Sequence, residues 1–465
     1  MLFGGIELPG HPDLANIRAL DLLPIPQICR MMQVGVAIDV ERLGEISEIL
    51  ATKMSELELE ITSYIPPAYL NAFLEESGED IAINVDSAEQ IAELLFKVLK
   101  LGEGKDLKRT PSGLRISTGK KQLEKLKRDH PVIPKILEYR EASKLKSTYA
   151  DALPLLAKDE NGAKVIHTQL LTTRTSTGRL ASKKPNLQNI PTRTKLGQMI
   201  RRAFISRPGC RLISIDYSQI ELRLLADRAN ERKMIEVFRT GGDIHVFTAM
   251  QVFDISDPAL VDHLTQRNPC KAVNFGVVYG LTAAGLYDLI VVTYATAGLP
   301  VPDWVTIEWC EKFIEKWFGI YSDALEYFQL QHWRARRYEM VWDMFGRTRL
   351  VPEVRSQIER VQYAGLRQAG NLPIQAAAAG VMKIGMARVE RVLEGIRASG
   401  IYAEALLPVH DELLIEVDAE WAEEVEELCR WEMEQALVDE ESGELRCRVP
   451  IKTEGSIMTR WSKAA

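Results

Sequence analysis

Two carboxylates in unrelated local patterns carry the first chemical signal in the chain. Asp216 lies where 211–217 alternates toward apolar and the following IELRLLADRAN takes helical spacing, so it is expected at the end of a strand that runs into a helix. Asp411 and Glu412 stand at the polar centre of IYAEALLPVHDELLIEV (401–417), between two apolar runs. That pattern predicts a strand–turn–strand hairpin with Asp411 at its tip. Carboxylates brought to one rim from two strands suit divalent magnesium, which takes hard oxygen ligands, usually only one or two of them protein carboxylates, and completes its shell with water and phosphate oxygens. Two such ions ~3.5–4 Å apart stabilise an attacking and a leaving oxygen together.

A third constellation is Arg267, Lys271, Phe275 and Tyr279 in QRNPCKAVNFGVVYG, each four residues from the next. On a helix every four-residue step turns by ~400°, so these side chains share one side with a slow drift. Cations ahead of aromatics would set phosphates near the helix start and a flat base farther along. An amphipathic core helix with incidental cations is the simpler alternative. Gly276 and Gly280 weaken a helix interior, which points to close approach by something. Pro269 is tolerated in a first helical turn, so the helix is expected to begin near it, with Arg267 ahead of it.

These groups need a scaffold. Leu43, Ile46, Leu50, Met54, Leu57 and Ile61 recur at three- and four-residue steps and predict a helix over 41–61 with one buried stripe. Further helices are expected over 84–101 and 118–127, separated by the turn GEGKDLKRTPSG. Together, 41–145 reads as a mostly helical, basic unit. Residues 235–345 read as largely helical, interrupted by a loop at TYATAGLPVPDW (293–304). There is no internal repeat.

With 465 residues the chain is too long for one core, and at ~150 residues per domain it suggests about three packed units. No apolar run approaches the ~18 residues of a membrane span, and the start does not read as a signal peptide. Cys29, Cys210, Cys270, Cys310, Cys429 and Cys447 show no CxxC spacing, which argues against a zinc or redox motif and fits a reduced intracellular compartment. The net charge of −7 speaks against a nucleic-acid partner, but its distribution reverses that. Residues 100–150 hold 14 Lys or Arg against 6 acids, and 171–211 hold 10 bases and no acid. Residues 411–445 hold 15 acids and one Arg. Basic stretches can follow a phosphate backbone while a distant acidic face stays in solvent.

SIDYSQIELR (214–223), the 267–280 segment and VHDEL (409–413) resemble the three signature motifs of the DNA polymerase I family, family A. The resemblance continues in ILEYREASKLKSTYADALP (136–154), TSTGRLASKKPNLQNIP (175–191), FGRTRLVP (345–352), RQAGNLPIQ (367–375) and EGSIMTRW (454–461). It begins near Asp21 and covers nearly the whole chain. It implies an α+β right hand with an antiparallel-sheet palm, a helical thumb and helical fingers. The expected layout is an N-terminal segment and start of palm over 1–40, thumb over 41–145, palm over 146–234, fingers over 235–345 and palm again over 346–465.

The resemblance also implies roles. Asp216, Asp411 and the main-chain carbonyl of Tyr217 would hold two Mg2+ ions, with Mn2+ as a substitute, and Glu412 would be an auxiliary acid. Lys271, Arg267 and His245 (in GGDIH) would contact the triphosphate, and a core or capping histidine is the alternative for His245. Glu221, with Gln219 beside it, resembles the acid that fills the space a ribose 2′-hydroxyl needs. Phe275 stands where a Tyr would tolerate dideoxynucleotides. Tyr279 resembles the aromatic that stacks at the templating position and gates closure of the fingers. Arg179, Gln188, Arg367, Asn371, Gln375 and His410 match positions that touch primer–template DNA, several of them in the minor groove, and Arg140 and Lys144 match backbone contacts.

The sequence departs from the family pattern at Pro408, where Gln is usual, and at Ala376 and Gly380, where Gly and Asp are usual. Pro408 removes a ladder donor, so an edge strand or a local rearrangement is expected there. Residues 62–80 and 291–304 follow no familiar pattern. About twenty residues precede the palm-like start, which leaves no room for a 3′–5′ exonuclease or a 5′ nuclease. The expectation is a monomeric DNA polymerase without proofreading, acting on primer–template DNA and deoxynucleoside triphosphates in a bacterial cytoplasm or a virus-infected bacterial host. Replication or repair proteins are candidate partners. A gap-filling or lesion-bypass enzyme of the same family is one competing reading, and an inactive DNA-binding scaffold is another.

Overall fold

Asp39 opens the helix expected over 41–61. Its carboxylate accepts from the Arg42 amide at 2.9 Å, satisfying one of the N–H groups a helix start leaves open, and the helix runs over Val40–Ser63. Leu43, Ile46, Leu50, Leu57 and Ile61 are buried along it, as their spacing predicts. The computed structural model describes residues 10–70, 83–104, 107–110, 113–191, 194–296 and 299–462. Within them the chain forms two compact units.

One unit comprises Val36–His167, Asn189–Pro208 and Thr459–Ala465. The helix expected over 84–101 appears as Ala88–Ala92 running into a wider turn at Glu93–Val98, and that over 118–127 appears as Lys120–Lys125. The Val132–Leu145 helix lies against Val40–Ser63, and Leu57, Ile61, Leu94, Leu95, Ile133 and Ile136 share their core. A small antiparallel sheet joins the strands in the order Val36–Ile38, Ala163–Ile166, Lys158–Glu160. Residues 71–80 of the unfamiliar 62–80 stretch, and part of GEGKDLKRTPSG, lie outside the described residues.

The other unit comprises Met1–Gly35, Thr168–Gln188 and Gly209–Met458. Its centre is an antiparallel sheet in the order Thr453–Met458, Cys210–Tyr217, Glu412–Asp418, Ala403–Val409. Pro408 lies in the edge strand opposite Leu413, and the ladder slips between Leu414 and Ile415. An edge is where a residue without an N–H costs the sheet least. The forty-residue helix Glu359–Ala398 supports the sheet, with the Ala422–Glu434 helix packed against both. Gly385 on the long helix leaves room for the Tyr217 hydroxyl, which donates to the Met433 carbonyl at 2.9 Å.

The 235–345 stretch is helical as expected, over Ile244–Phe253, Asn268–Val278, Ala283–Thr296, Ile307–Ile320 and Ser322–Tyr338. One boundary needs correction. Thr293–Thr296, expected as loop, continue a helix. No Gly or Pro intervenes before Gly298, so nothing local stops the helix at Thr293. Residues 299–304 are not helical, and 297–298 lie outside the described residues. No helix among the described residues is long and apolar enough to cross a membrane.

Candidate active site

Backbone pairing brings the end of the Asp216 strand and the tip of the Asp411 hairpin together. Asp216 is the next-to-last residue of Cys210–Tyr217 and faces Glu412 across the ladder. Val409 and Glu412 close the hairpin through His410 and Asp411, with His410 at φ 57. The Tyr217 amide donates to the Asp411 carbonyl at 3.1 Å, which joins the hairpin tip to the end of the Asp216 strand. Asp216 and Asp411 are both half-buried. Glu412 is buried and accepts from the Ser214 hydroxyl at 2.6 Å, so one of its oxygens is held within the sheet. Among the described residues no three His, Cys, Asp or Glu side chains cluster as metal ligands. Two half-buried carboxylates beside a strand-end carbonyl form a sparse, all-oxygen donor set. This suits Mg2+, which draws its remaining ligands from phosphates and water, and does not suit zinc.

Beside the carboxylates lies a polar cluster made by three distant segments. Arg179 donates to Glu221 at 2.7 Å and lies 3.7 Å from Asp411 Oδ1. The Tyr279 phenol lies near enough to Glu221 and Arg179 to bear on the charge of both. Glu221 is 5 % exposed. Burial pushes its carboxyl pKa up, against the pull of Tyr279 and Arg179, and burial likewise raises that of the Tyr279 phenol. Gly178 (φ 77) lets the Arg347 guanidinium lie 2.6 Å from where a Cβ would sit, which fixes the backbone just before Arg179. Gln219 joins strand to helix in the left-handed region (φ 54), with its side-chain oxygen buried and without a partner among the described residues.

The four-residue stripe keeps one face of its helix open. Lys271 and Tyr279 are exposed and Phe275 half-buried, while Cys270, Val273, Asn274 and Val277 are buried on the other side. Pro269 falls in the first turn of Asn268–Val278, and Arg267 ends a preceding wide turn at His263–Arg267. The guanidinium of Arg267 donates twice to Asp243 Oδ2, at 2.9 and 2.7 Å. The other oxygen of Asp243 caps Ile244–Phe253 by accepting from the His245 and Val246 amides. His245 is 1 % exposed and its Nδ1 meets Asn274 at 2.9 Å, the placement of a core histidine. Burial, with Arg267 and Lys271 adding to it and Asp243 opposing, brings its imidazole down to about 4, so it is neutral at pH 7. The glycines explain themselves within the chain: Gly276 is approached by Leu281, and a Cβ on Gly280 would lie 2.6 Å from Arg367.

Gln188 donates to the Pro408 carbonyl at 2.7 Å, so the edge strand is tied by a side chain. Asn371 has a buried side-chain oxygen without a partner among the described residues, and Gln375, one turn on, is half-buried.

The match of the family model described as DNA polymerase family A extends over residues 40–463. The chain belongs to DNA polymerase family A. It is 37% identical over 449 residues to "DNA polymerase I, thermostable" from Thermus filiformis, covering 95% of this chain and 47% of that protein. It is 36% identical over 458 residues to DNA polymerase I from Deinococcus radiodurans, covering 98% of this chain and 43% of that protein. The chain thus spans less than half the length of these curated relatives. It also resembles the solved POL domain of Pol1 from M. smegmatis in complex with DNA primer-template and dNTP. That match has a TM-score of 0.76 and 31% identity over 96% of this chain and 72% of the other. The α+β architecture is that of a family A polymerase domain.

Within this family A chain, the residues singled out by motif differ in how far the chain itself engages them. Lys144 is exposed on its helix. Arg140 turns into its own unit, donating to the Val85 carbonyl at 3.2 Å and the Thr118 carbonyl at 2.6 Å. Motif reading missed three positioning groups: Asp243, Ser214 and Asn274. Asn274 is 0% exposed and ties three helices through Thr248, His245 and the indole of Trp317. An Asn on the otherwise apolar side of the Lys271 helix was the available signal.

Proposed function

We propose that this chain is a DNA-templated DNA polymerase that adds deoxynucleoside triphosphates to a primer 3′ end and releases pyrophosphate. The observation that carries the reading is the joining of the Asp216 and Asp411 strand ends beside the Arg179–Glu221–Tyr279 cluster. Asp216, Asp411 and the Tyr217 carbonyl would hold two Mg2+ ions, or Mn2+ in their place, which would supply charge neutralisation at the reacting phosphates. Lys271, on the open face of its helix, neutralises the triphosphate and gives a proton from Nζ to the leaving pyrophosphate. Arg267, held by Asp243, is presented as a second triphosphate cation. Glu221 fills the volume next to the sugar and excludes a 2′-hydroxyl. Tyr279 stacks at the templating position and moves with the fingers. Arg179, Gln188, Arg367, Asn371, Gln375 and His410 hold the primer–template, reading groove geometry rather than sequence. In this hand, 41–145 is the thumb, 235–345 the fingers, and 146–234 with 346–465 the palm. The protein acts as a monomer in a bacterial cytoplasm.

Primer extension with Mg2+ on gapped, nicked and long single-stranded templates tests the reading, and no product on any of them overturns it. Phe275→Tyr places a hydroxyl near the position left empty in a dideoxynucleotide and is expected to raise dideoxynucleotide incorporation by roughly tenfold, the scale of one new hydrogen bond. Equal incorporation by parent and variant in a chain-termination assay removes Phe275 from that role.

A further inference from the structure

Trp304 comes from the 291–304 stretch that follows no familiar pattern, and it forms one wall of a cavity of about 340 Å³. The other walls come from three helical elements. Phe253 ends Ile244–Phe253, Thr265 and Gln266 belong to the wide turn His263–Arg267, and Trp309 lies in the first turn of Ile307–Ile320. A turn closed by the Val305 amide on the Pro302 carbonyl at 3.0 Å carries Trp304, and the Thr306 hydroxyl caps the next helix by accepting from the Trp309 amide at 3.0 Å. Trp304 and Trp309 meet edge to face with ring centroids 4.9 Å apart, and Phe253 lies 6.5 Å from Trp309. The buried Phe313 backs both Trp309 and Phe253, at 4.9 and 6.2 Å. Trp304 is 44% exposed, so the rings are fixed from behind and open to solvent in front. Aromatic residues that only filled a core would leave no such space.

Charge around the cavity has one sign. Residues 253–266 and 303–309, which supply its walls, hold Asp254, Asp257, Asp262, Asp303 and Glu308 and no Lys or Arg. Lys316 and Lys312, farther along the Ile307–Ile320 helix, pair with Asp254 at 3.1 Å and Glu308 at 2.8 Å, which leaves the rim net negative. Ring faces attract cations, and nearby carboxylates add to that attraction while repelling phosphate. A cavity near the ~300 Å³ lower end of ligand pockets takes one long side chain.

We propose that this cavity receives an arginine side chain from a basic segment of a partner protein. The planar guanidinium stacks against Trp304 and Trp309, and the Thr265 hydroxyl and Gln266 amide offer oxygen acceptors beside it. The neighbouring exposed Leu260 and Ile307 give the rest of such a segment apolar surface to lie on. The acids make nucleic acid the wrong occupant.

The test uses the whole chain labelled with fluorotryptophan, with the Trp304 and Trp309 fluorine resonances identified by their loss in Trp304→Phe and Trp309→Phe. The probe is the capped peptide Gly-Arg-Gly-Arg-Gly. Its control carries citrulline in place of both arginines, which keeps the shape and removes the charge. The arginine peptide is expected to move both resonances to saturation, and the citrulline peptide to bind at least about tenfold more weakly, the scale of a partly desolvated cation–π contact. Trp304→Ala weakens the arginine peptide by about tenfold, and Trp304→Phe, which keeps a ring, by less. Replacing Asp257 and Asp303 together by Asn lowers the affinity and flattens its fall with added salt. Equal affinity for the two peptides, resonances that do not move, or undiminished binding by Trp304→Ala overturns the proposal. Movement with single-stranded oligo(dT) but not with the arginine peptide overturns it in favour of a nucleic-acid site.

Discussion

Asp411→Ala is expected to cut primer extension by at least about a thousandfold while primer–template binding stays within a few-fold of wild type. Asp411 sits at the hairpin tip, and the Tyr217 amide holds its main chain against the Asp216 strand. The carboxylate itself therefore has little structural work: it is half-buried, and its nearest cation, Arg179, lies 3.7 Å away and keeps Glu221 as its closer partner. Metal-assisted phosphoryl transfer draws several kcal/mol from charge neutralisation, and ~4 kcal/mol is about three powers of ten in rate. Asp411→Asn preserves shape and removes only the charge, so it should fall nearly as far. Single-turnover extension of a labelled primer measures the rate, and anisotropy measures binding. Extension by either variant within about tenfold of wild type would sink the assignment of Asp411 as a metal ligand.

Glu221→Ala is expected to raise the efficiency of ribonucleotide relative to deoxyribonucleotide incorporation by about a hundredfold. A shape-complementary wall that rejects one extra hydroxyl discriminates on this scale. Glu221 is suited to the task because its side chain is buried and held by Arg179 at 2.7 Å, so it cannot swing aside without breaking that bond. The ratio of kcat/KM values for matched ribo- and deoxynucleotides is the measurement, because a general loss of stability cancels in it. Glu221→Gln keeps the volume and should keep most of the discrimination. An unchanged ratio in Glu221→Ala would mean that another group guards the 2′ position.

The two predictions draw on different sources. That Asp216 would end a strand and Asp411 would tip a hairpin could be read from the period of apolar residues, and both elements formed as expected. The same holds for the helix at Val40–Ser63 and for the open stripe of Lys271, Phe275 and Tyr279. These are consequences of local geometry, because side chains alternate along a strand and repeat every three or four residues around a helix. Pro269 marked a helix start and Pro408 an edge strand for equally local reasons, a fixed φ and a missing donor.

What only the tertiary structure decided is which polar groups are already engaged. Arg179 and Glu221 are 42 residues apart, and Gln188 and Pro408 are 220 apart, so no spacing rule relates them. Arg140 and Lys144 look alike in the sequence, yet packing turns one into its own unit and leaves the other in solvent. His245 became a neutral ring because packing buried it, with Asn274 meeting its Nδ1 from another helix. Gly276 and Gly280, which signalled close approach, were vacated for Leu281 and Arg367 of the same chain. Periodicity tells which side of an element meets the core. The partner found there depends on how separate elements pack, and that is settled when buried polar groups must each find a hydrogen bond. The sequence thus determined where the Asp216 and Asp411 carboxylates stand along their strands, and the fold decided that one cation, Arg179, lies between Asp411 and Glu221.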